Sequence, residues 1–384
     1  MKIKKYSLLY YIVIFILTLK LILENSRLII MPEQVGNILN IISVVFLIIK
    51  LYNQKYTICE LWIYFSFGLI CTLVSFISKE YVIALSYLLI IGIKNVNMKN
   101  ALRINCYTKF IAIFLHMLIY IINVEMGLTD IIYYTSSGNP RYDFYLGHPN
   151  ATAGIIFWTI AELIYINDNK LSFGKFILCS VLGFISINLT NSRTSILSYI
   201  VLLTLLLLSK IKGRNINRFI KFNSKYIFSI LSVLSISISY FYIPLNNIVN
   251  LDILDNLLSR RLSLGYLGIQ KFGIPIFPQL IDSSYIVKWH TYHMQIVLDN
   301  IYIRSAVCYG LLFLTLISIL FIYTTKYTSK TEWIYIIVFA IVGFSENYIL
   351  NALISFPLLF IGNSIINNAR IDDIELKLDK YKVK

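Results

Sequence analysis

The sequence is short of charge. Of its 384 residues only 14% are Asp, Glu, Lys or Arg, whereas 58% are hydrophobic and the mean hydropathy is +0.74. That balance excludes an ordinary soluble globular domain and predicts an integral membrane protein. Acid is scarcer still, with 19 Asp and Glu against 34 Lys and Arg, a formal net charge of +15. An excess of this kind suits nucleic acid only where the basic residues gather on one folded face. Here they are scattered between apolar runs, so no nucleic-acid partner is predicted. Paired cysteine spacing is missing: Cys59, Cys71, Cys106, Cys179 and Cys308 imply neither a disulfide framework nor a metal site. There is no internal repeat, no low-complexity tract and no soluble module, which leaves a scaffold or sensor nothing to work with and hides the inverted repeats of many secondary transporters. The basic flank of the N-terminus resembles a secretory signal, but the apolar part is long and no small-residue cleavage site follows, so it predicts a first spanning helix.

What is present is apolar length. Runs near the roughly 20 residues that cross a hydrocarbon core fall near 6–23, 36–52, 59–77, 81–93, 107–124, 149–166, 175–189, 194–209, 226–243, 301–323, 332–345 and 348–366. They predict an all-α, polytopic protein of about 12 transmembrane helices, with 1–384 as one helical domain. Helices satisfy every backbone amide within their own segment, and the alternation of barrel strands is missing. With the N-terminus cytoplasmic, 24 of the 34 lysines and arginines fall in inner loops and tails, including the basic run 210–225. Only Arg27, Lys79, Arg141, Arg193, Arg260, Arg261, Lys271 and Lys288 fall outside, as the positive-inside rule expects. Both termini are then cytoplasmic, 367–384 is a cytoplasmic tail, 244–300 is an extracellular loop carrying short helices, and the basic run meets anionic membrane lipids. Lys20 and Arg304 are the cations left within spans.

The outer cations sit in three stations. The first is RYDFYLGHPNATAG at 141–154, where Pro149 suits the first helical position and His148 falls at the cap; a shaped helix entrance is the plain alternative to a binding role. The second, NLTNSRTSILSYI at 188–200, is a tight turn. Ser192 or Thr194 can cap the next helix, and Arg193 stands at its positive end, where a cation needs an anionic partner or a lipid phosphate. The third runs from Pro244 to Gly310 and is too polar to cross a bilayer. Arg260 and Arg261 cannot share a helix face, so one is expected toward a site and the other toward headgroups, and guanidinium forks suit phosphate oxygens. Trp289, His290 and His293 follow, then Asp299 and Asn300 at a helix mouth, where Asp299 is either a cap or a general base. Of the 29 tyrosines, whose ordinary place is an interfacial belt, only Tyr302 joins the candidate site.

These segments resemble the O-antigen polymerase (Wzy-type) family, in particular the capsular and exopolysaccharide repeat-unit polymerases of Gram-positive bacteria, over most of the chain from the 140s to the 310s. GHPNATA at 147–153 is similar to their GHPN entrance and NSRTS at 191–195 to their SRT turn. SRRLSL at 259–264 is similar to their SGRL segment, with Arg261 in the place of its arginine and Arg260 where glycine is usual. LDNIYIRSAVCYGLL at 298–312 is similar to their DN-x-Y helix entrance. The related O-antigen ligases have His-Asn, nine residues and Gly; this chain has Asp299-Asn300, nine residues and Gly310, and the Asp favours polymerase over ligase.

The resemblance implies that undecaprenyl-diphosphate-linked oligosaccharide repeat units are transferred to another lipid-linked unit at the outer face of the cytoplasmic membrane. It implies a metal-independent glycosyltransferase without a cofactor, with a repeat-unit flippase and a chain-length regulator as partners that such a pathway admits. Arg193 and Arg261 would meet the diphosphate charge, and Asp299 or His290 the acceptor hydroxyl. His148, Asn150, Arg260, Asn300, Tyr302 and Arg141 would bind substrate. A ligase-like transferase is the nearer alternative. A flippase of the same lipid is the alternative from another class, expected to place charges along a central path at membrane depth.

Overall fold

A computed structural model describes residues 5–129, 133–134, 138–167, 173–210, 214–281, 286–289 and 292–366. The chain begins with α1 (Lys5–Asn25), α2 (Glu33–Tyr52), α3 (Ile58–Ser78), α4 (Tyr81–Gly92) and α5 (Met98–Glu125), followed by short strands β1 (Tyr133–Tyr134) and β2 (Pro140–Arg141). Next come α6 (Pro149–Asn167), α7 (Phe173–Leu189), α8 (Arg193–Lys210), α9 (Arg214–Tyr240), α10 (Tyr242–Val249), α11 (Asp252–Leu257) and α12 (Arg261–Phe272). A hairpin of β3 (Ile286–Trp289) and β4 (Tyr292–Gln295) leads to α13 (Ile301–Arg304), a π-helical turn (Ser305–Tyr309), α14 (Leu311–Tyr327) and α15 (Lys330–Gly343).

Among the described residues six helices are long and apolar enough to cross a membrane: α1, α2, α3, α5, α6 and the Arg218–Tyr240 part of α9. α4, α14 and the apolar parts of α7 and α8 are shorter. The amphipathicity is inverted relative to a soluble protein. α3 turns Leu61, Trp62, Phe65, Leu69 and Phe76 outward, and α5 does the same with Phe110, Phe114 and Leu118, while Thr18, Asn105, Lys109 and Glu162 are buried. An exterior of that kind fits hydrocarbon rather than water. The all-α class and the membrane character expected from composition therefore hold.

Several expected boundaries change. The 107–124 run starts earlier, at Met98, where the Asn97 side chain accepts from the Asn100 amide. α9 likewise begins in the basic segment at Arg214, because a helix does not stop where hydropathy falls. The expected spans at 301–323 and 348–366 are not single helices. The first breaks at Gly310; the second is a 3-10 turn (Tyr348–Leu350), a non-helical stretch, and helix only at 358–366. The 244–300 segment holds the short helices α10 to α12 but also the β3–β4 hairpin, in which Lys288 pairs with His293.

Contacts gather in two compact units, each built from separated stretches. The first comprises residues 1–55, 88–204 and 352–359. In it α1 packs on α2 and α5, α5 on α6, and α6 on α7. The Lys109 Nζ lies 3.0 Å from Glu162 Oε1, both side chains fully buried, and also donates to the Leu353 carbonyl at 3.0 Å. Asn105 donates to the same two acceptors at 2.7 and 2.9 Å, and Thr18 donates to Asn105 at 2.7 Å. Leu353 belongs to the non-helical stretch, so these side chains supply donors that a helix would have supplied. Lys109 is thus not an inner-loop cation but half of a buried ion pair.

The second unit comprises residues 56–87, 205–351 and 360–384. α9 is its axis, packing on α12, α13, α14 and α15. At the Gly310 break the strip 273–279 satisfies the freed backbone. Leu311 and Leu312 amides donate to the Pro275 and Ile276 carbonyls at 2.9 and 3.1 Å, and the Gln279 amide donates to Cys308 at 3.0 Å. The Gln279 side chain adds bonds to Val307 (2.8 Å) and Phe272 (3.0 Å). Gly310 has φ 84°, and a Cβ there would stand 2.5 Å from the Ile276 carbonyl oxygen.

Gly310→Ala is therefore expected to cost about 1–3 kcal/mol through its backbone conformation, before any clash, and to lower the Tm of the detergent-solubilised protein. Lys109→Met should cost about 3–5 kcal/mol by leaving Glu162 buried and unpaired, and adding Glu162→Gln should return part of it; equal Tm values for the single and double variants would show that the pair is not coupled.

Candidate functional site

In the first unit the mouth of α6 is built as its sequence suggests. His148 caps it, Nδ1 accepting from the Asn150 amide at 3.2 Å and its carbonyl accepting from Thr152 at 3.0 Å, with Pro149 as first helical residue. Asn150 Oδ1 accepts from Arg141 Nη2 at 2.5 Å, and Arg141 Nε donates to the Thr190 carbonyl at 3.3 Å. The Tyr142 amide donates to Leu189 (3.2 Å) and the Asn191 side chain to Pro140 (3.0 Å). β2 thereby ties the α6 mouth to the α7–α8 turn, where Asn191 takes φ 52°. Ser192 precedes α8 and accepts from the Ile196 amide.

Arg193 is the first residue of α8 and is exposed. Among the described residues no carboxylate pairs with it. Burial, and then the charge of Arg193, push the Arg141 guanidinium below its ordinary value. The loop is braced from behind by Arg27, which pairs with Asp143 at 3.2 Å and donates to the Gly147 carbonyl and the Tyr133 hydroxyl.

In the second unit Arg261 and Arg260 diverge because Arg260 lies before α12 in a left-handed conformation and Arg261 is the first helical residue. Arg260, at φ 62°, is exposed, and Arg261 is buried. Arg261 donates through Nε to Ser345 O (2.5 Å), through Nη1 to Leu258 O (3.0 Å) and through Nη2 to Glu346 Oε1 (3.1 Å), with Asp299 Oδ2 at 3.9 Å. The Asn347 side chain donates to Asp299 Oδ1 at 3.5 Å. Asp255 holds the start of α12 by accepting from the Leu262 and Ser263 amides at 2.8 and 3.1 Å. The Asp299 side chain is 40% exposed, so the cluster presents one open carboxylate held against a buried guanidinium.

Two expectations need correction. Asn300, not Asp299, caps α13: its Oδ1 accepts from the Tyr302 and Ile303 amides at 2.9 and 3.3 Å, and its side chain is buried. Tyr302, expected against substrate, is wholly buried, its ring 5.0 Å from that of Phe228 on α9 and its hydroxyl donating to Ala340 O at 2.6 Å on α15. Because the cap lies one residue later, position 302 turns into the core. The nine residues between Asn300 and Gly310 are the helical segment between its cap and its break. His290 lies outside the described residues.

The acid that completes the cluster, Glu346, is not among the sequence candidates, although an acid and an amide in the gap between the runs 332–345 and 348–366 mark it. Glu162 has a similar signal, a carboxylate inside an apolar run. Among the described residues no group of three or more His, Cys, Asp or Glu is placed to hold a metal ion. No protein-family model matches the chain, and no curated protein or solved structure is significantly similar to it.

Burial holds the Asp143 carboxyl above its usual value of 3.8 despite the opposing pull of Arg27. A raised carboxyl stabilises the fold fully at pH below the unfolded value and loses that contribution as pH rises through the folded value. The wild type should therefore lose Tm as pH rises from the carboxylate range toward neutrality, relative to Asp143→Asn; parallel profiles would remove Asp143 as the source.

Proposed function

We propose that the chain is a polysaccharide polymerase of the cytoplasmic membrane, transferring undecaprenyl-diphosphate-linked repeat units onto another lipid-linked unit at the outer face. The reading carries with it about 12 membrane crossings, cytoplasmic termini, the 244–300 segment outside and a flippase and chain-length regulator in the same pathway. The observation that supports it most is the open carboxylate of Asp299, fixed beside Arg261 and Asn347 at the mouth of a broken helix. In the reaction Asp299 takes the proton of the acceptor hydroxyl, whose oxygen bonds to the anomeric carbon of the donor. The bond from that carbon to the diphosphate oxygen breaks, and lipid diphosphate leaves with the electron pair.

Arg261 has its donors engaged by Ser345, Leu258 and Glu346, so it acts here as a positioning residue for Asp299. Arg193, exposed at a helix N-terminus, is the better match for an anionic headgroup. The O-antigen-ligase-like alternative uses the same parts and differs in acceptor.

A second reading, a flippase of the same lipid, draws support from the charges of Lys109 and Glu162 inside the helical core. Those charges bind each other and the Leu353 carbonyl, which is closer to a lock than to a path. The two readings separate in a deletion strain: loss of a polymerase leaves single lipid-linked units outside the membrane, loss of a flippase leaves them inside.

Asp299→Asn is expected to lower polymerisation by about 10²–10⁴-fold with normal membrane insertion. Arg193→Ala and Arg261→Ala should each abolish long polymer, a loss of about 10²–10³-fold, and Arg261→Lys should restore part of it. Wild-type chain lengths in Asp299→Asn would reduce that residue to a structural role.

A further inference from the structure

The core of the first unit holds two polar atoms that the fold itself does not satisfy. Glu162 is wholly buried in α6, and its two carboxylate oxygens are treated unequally. Oε1 accepts from Lys109 Nζ at 3.0 Å and from Asn105 Nδ2 at 2.7 Å, whereas Oε2 has no hydrogen-bond partner among the described residues. One helical turn earlier, the wholly buried Trp158 carries an indole Nε1–H that has none either. Leaving a buried donor or acceptor alone is costly, more so when it is charged, so two of them in one core call for a bonding partner from outside the chain.

The two atoms are complementary, and the helix brings them together. Positions 158 and 162 share a face of α6, where Cβ atoms four residues apart stand about 5–6 Å from each other. Long helical side chains lean toward the N-terminus, which carries the Glu162 carboxylate back over the turn of Trp158. Both side chains also meet the non-helical residues 352–357. The Trp158 ring is edge-on to Phe356 with centroids 5.9 Å apart, and Lys109 and Asn105, which hold Glu162, bond the Leu353 carbonyl.

A lone donor facing a lone acceptor fits a molecule that accepts and donates at once. Two hydrogen bonds through one oxygen span about 5–6 Å, the separation of the two positions. The carboxylate is the form of Glu162 that fits, because a protonated Oε2 would be a second donor beside the indole N–H. A metal cation does not fit, since the indole nitrogen offers no lone pair and the Lys109 ammonium already stands 3.0 Å from the same carboxylate. Lys109 spends two of its three hydrogens on Glu162 and Leu353, and the third can supply the further contact that buried waters ordinarily make.

We propose that a single ordered water is bound inside the first unit, accepting from Trp158 Nε1–H and donating to Glu162 Oε2, with Glu162 held as the carboxylate. The site lies outside the proposed reaction and stands whichever reading of that reaction holds. It makes the Lys109–Glu162 pair a hydrated one, and it places water beside backbone that has left the helix, the surroundings in which such backbone is tolerated in a membrane protein.

The test is a cryo-EM map of the full-length protein in nanodiscs at a resolution that shows ordered water. A peak about 3 Å from both Trp158 Nε1 and Glu162 Oε2 is the expected result. No peak there, a peak touching only one of the two atoms, or a direct bond between them overturns the proposal. Trp158→Phe, which keeps an aromatic ring against Phe356 and removes the donor, should lose the peak while the Lys109–Glu162 contact stays; a peak unmoved in that variant would overturn the bridge. The infrared difference between wild type and Glu162→Gln should show the loss of a carboxylate band, and loss of a carboxylic acid band in its place would overturn the ionised form that the bridge requires.

Discussion

Backbone that leaves the helix inside a membrane protein must find partners within the protein, and the second unit is arranged around one such place. At Gly310 the chain turns out of the π-helical turn and into α14, and the strip 273–279 enters the gap to exchange amides and carbonyls with it. Without that exchange several polar groups would be stranded, each at a cost of a few kcal/mol. The docked strip follows α12, which carries Arg261, and the broken segment begins at Asn300, next to Asp299. One backbone exchange thus fixes the positions of both partners of the candidate cluster. The same economy appears in the first unit, where Asn105 and Lys109 serve the Leu353 carbonyl from the side.

What could be read from the chain was what short-range chemistry decides. His148 and Pro149 declare a helix start because cap and first-turn preferences act over three or four residues. The 100° step of a helix leads one to expect Arg260 and Arg261 to diverge, and they do, but by way of the left-handed turn at Arg260 that precedes α12. Asp299 and Asn300 are both good caps, and the structure uses the second. Tyr302 lies beyond local inference altogether, since its burial depends on Phe228 and Ala340, far away in sequence. The broken segment was half visible: the interval from Asn300 to Gly310 is regular, but averaged hydropathy joins the apolar residues on both sides of a glycine into one run. Lys109 looks like the edge of one span and Glu162 like a stray acid inside another, and 53 residues of sequence separate them.

The candidate cluster also shows how a cation can matter without meeting a ligand. Arg261 is buried and has donors committed to two carbonyls and a carboxylate. Its remaining influence reaches Asp299 at 3.9 Å, close enough to orient the acid and too far to neutralise it by a direct bond. Arg193 is the opposite case, exposed and set beside another cation. Hydropathy and charge counts treat the two arginines alike; burial and partners divide them.

α9 has a mechanical consequence. Its 27 residues make a rod of about 40 Å, longer than the ~30 Å of a hydrocarbon core. Lys221 and Lys225 lie toward one end, and the other end borders α12 and α13. Because no proline interrupts the rod, a tilt imposed at its basic end is carried along its whole length to the elements that seat Arg261 and Asn300. The charge at the basic end of α9 and the posture of the acid beside Asn300 are in this way joined by a single stiff lever.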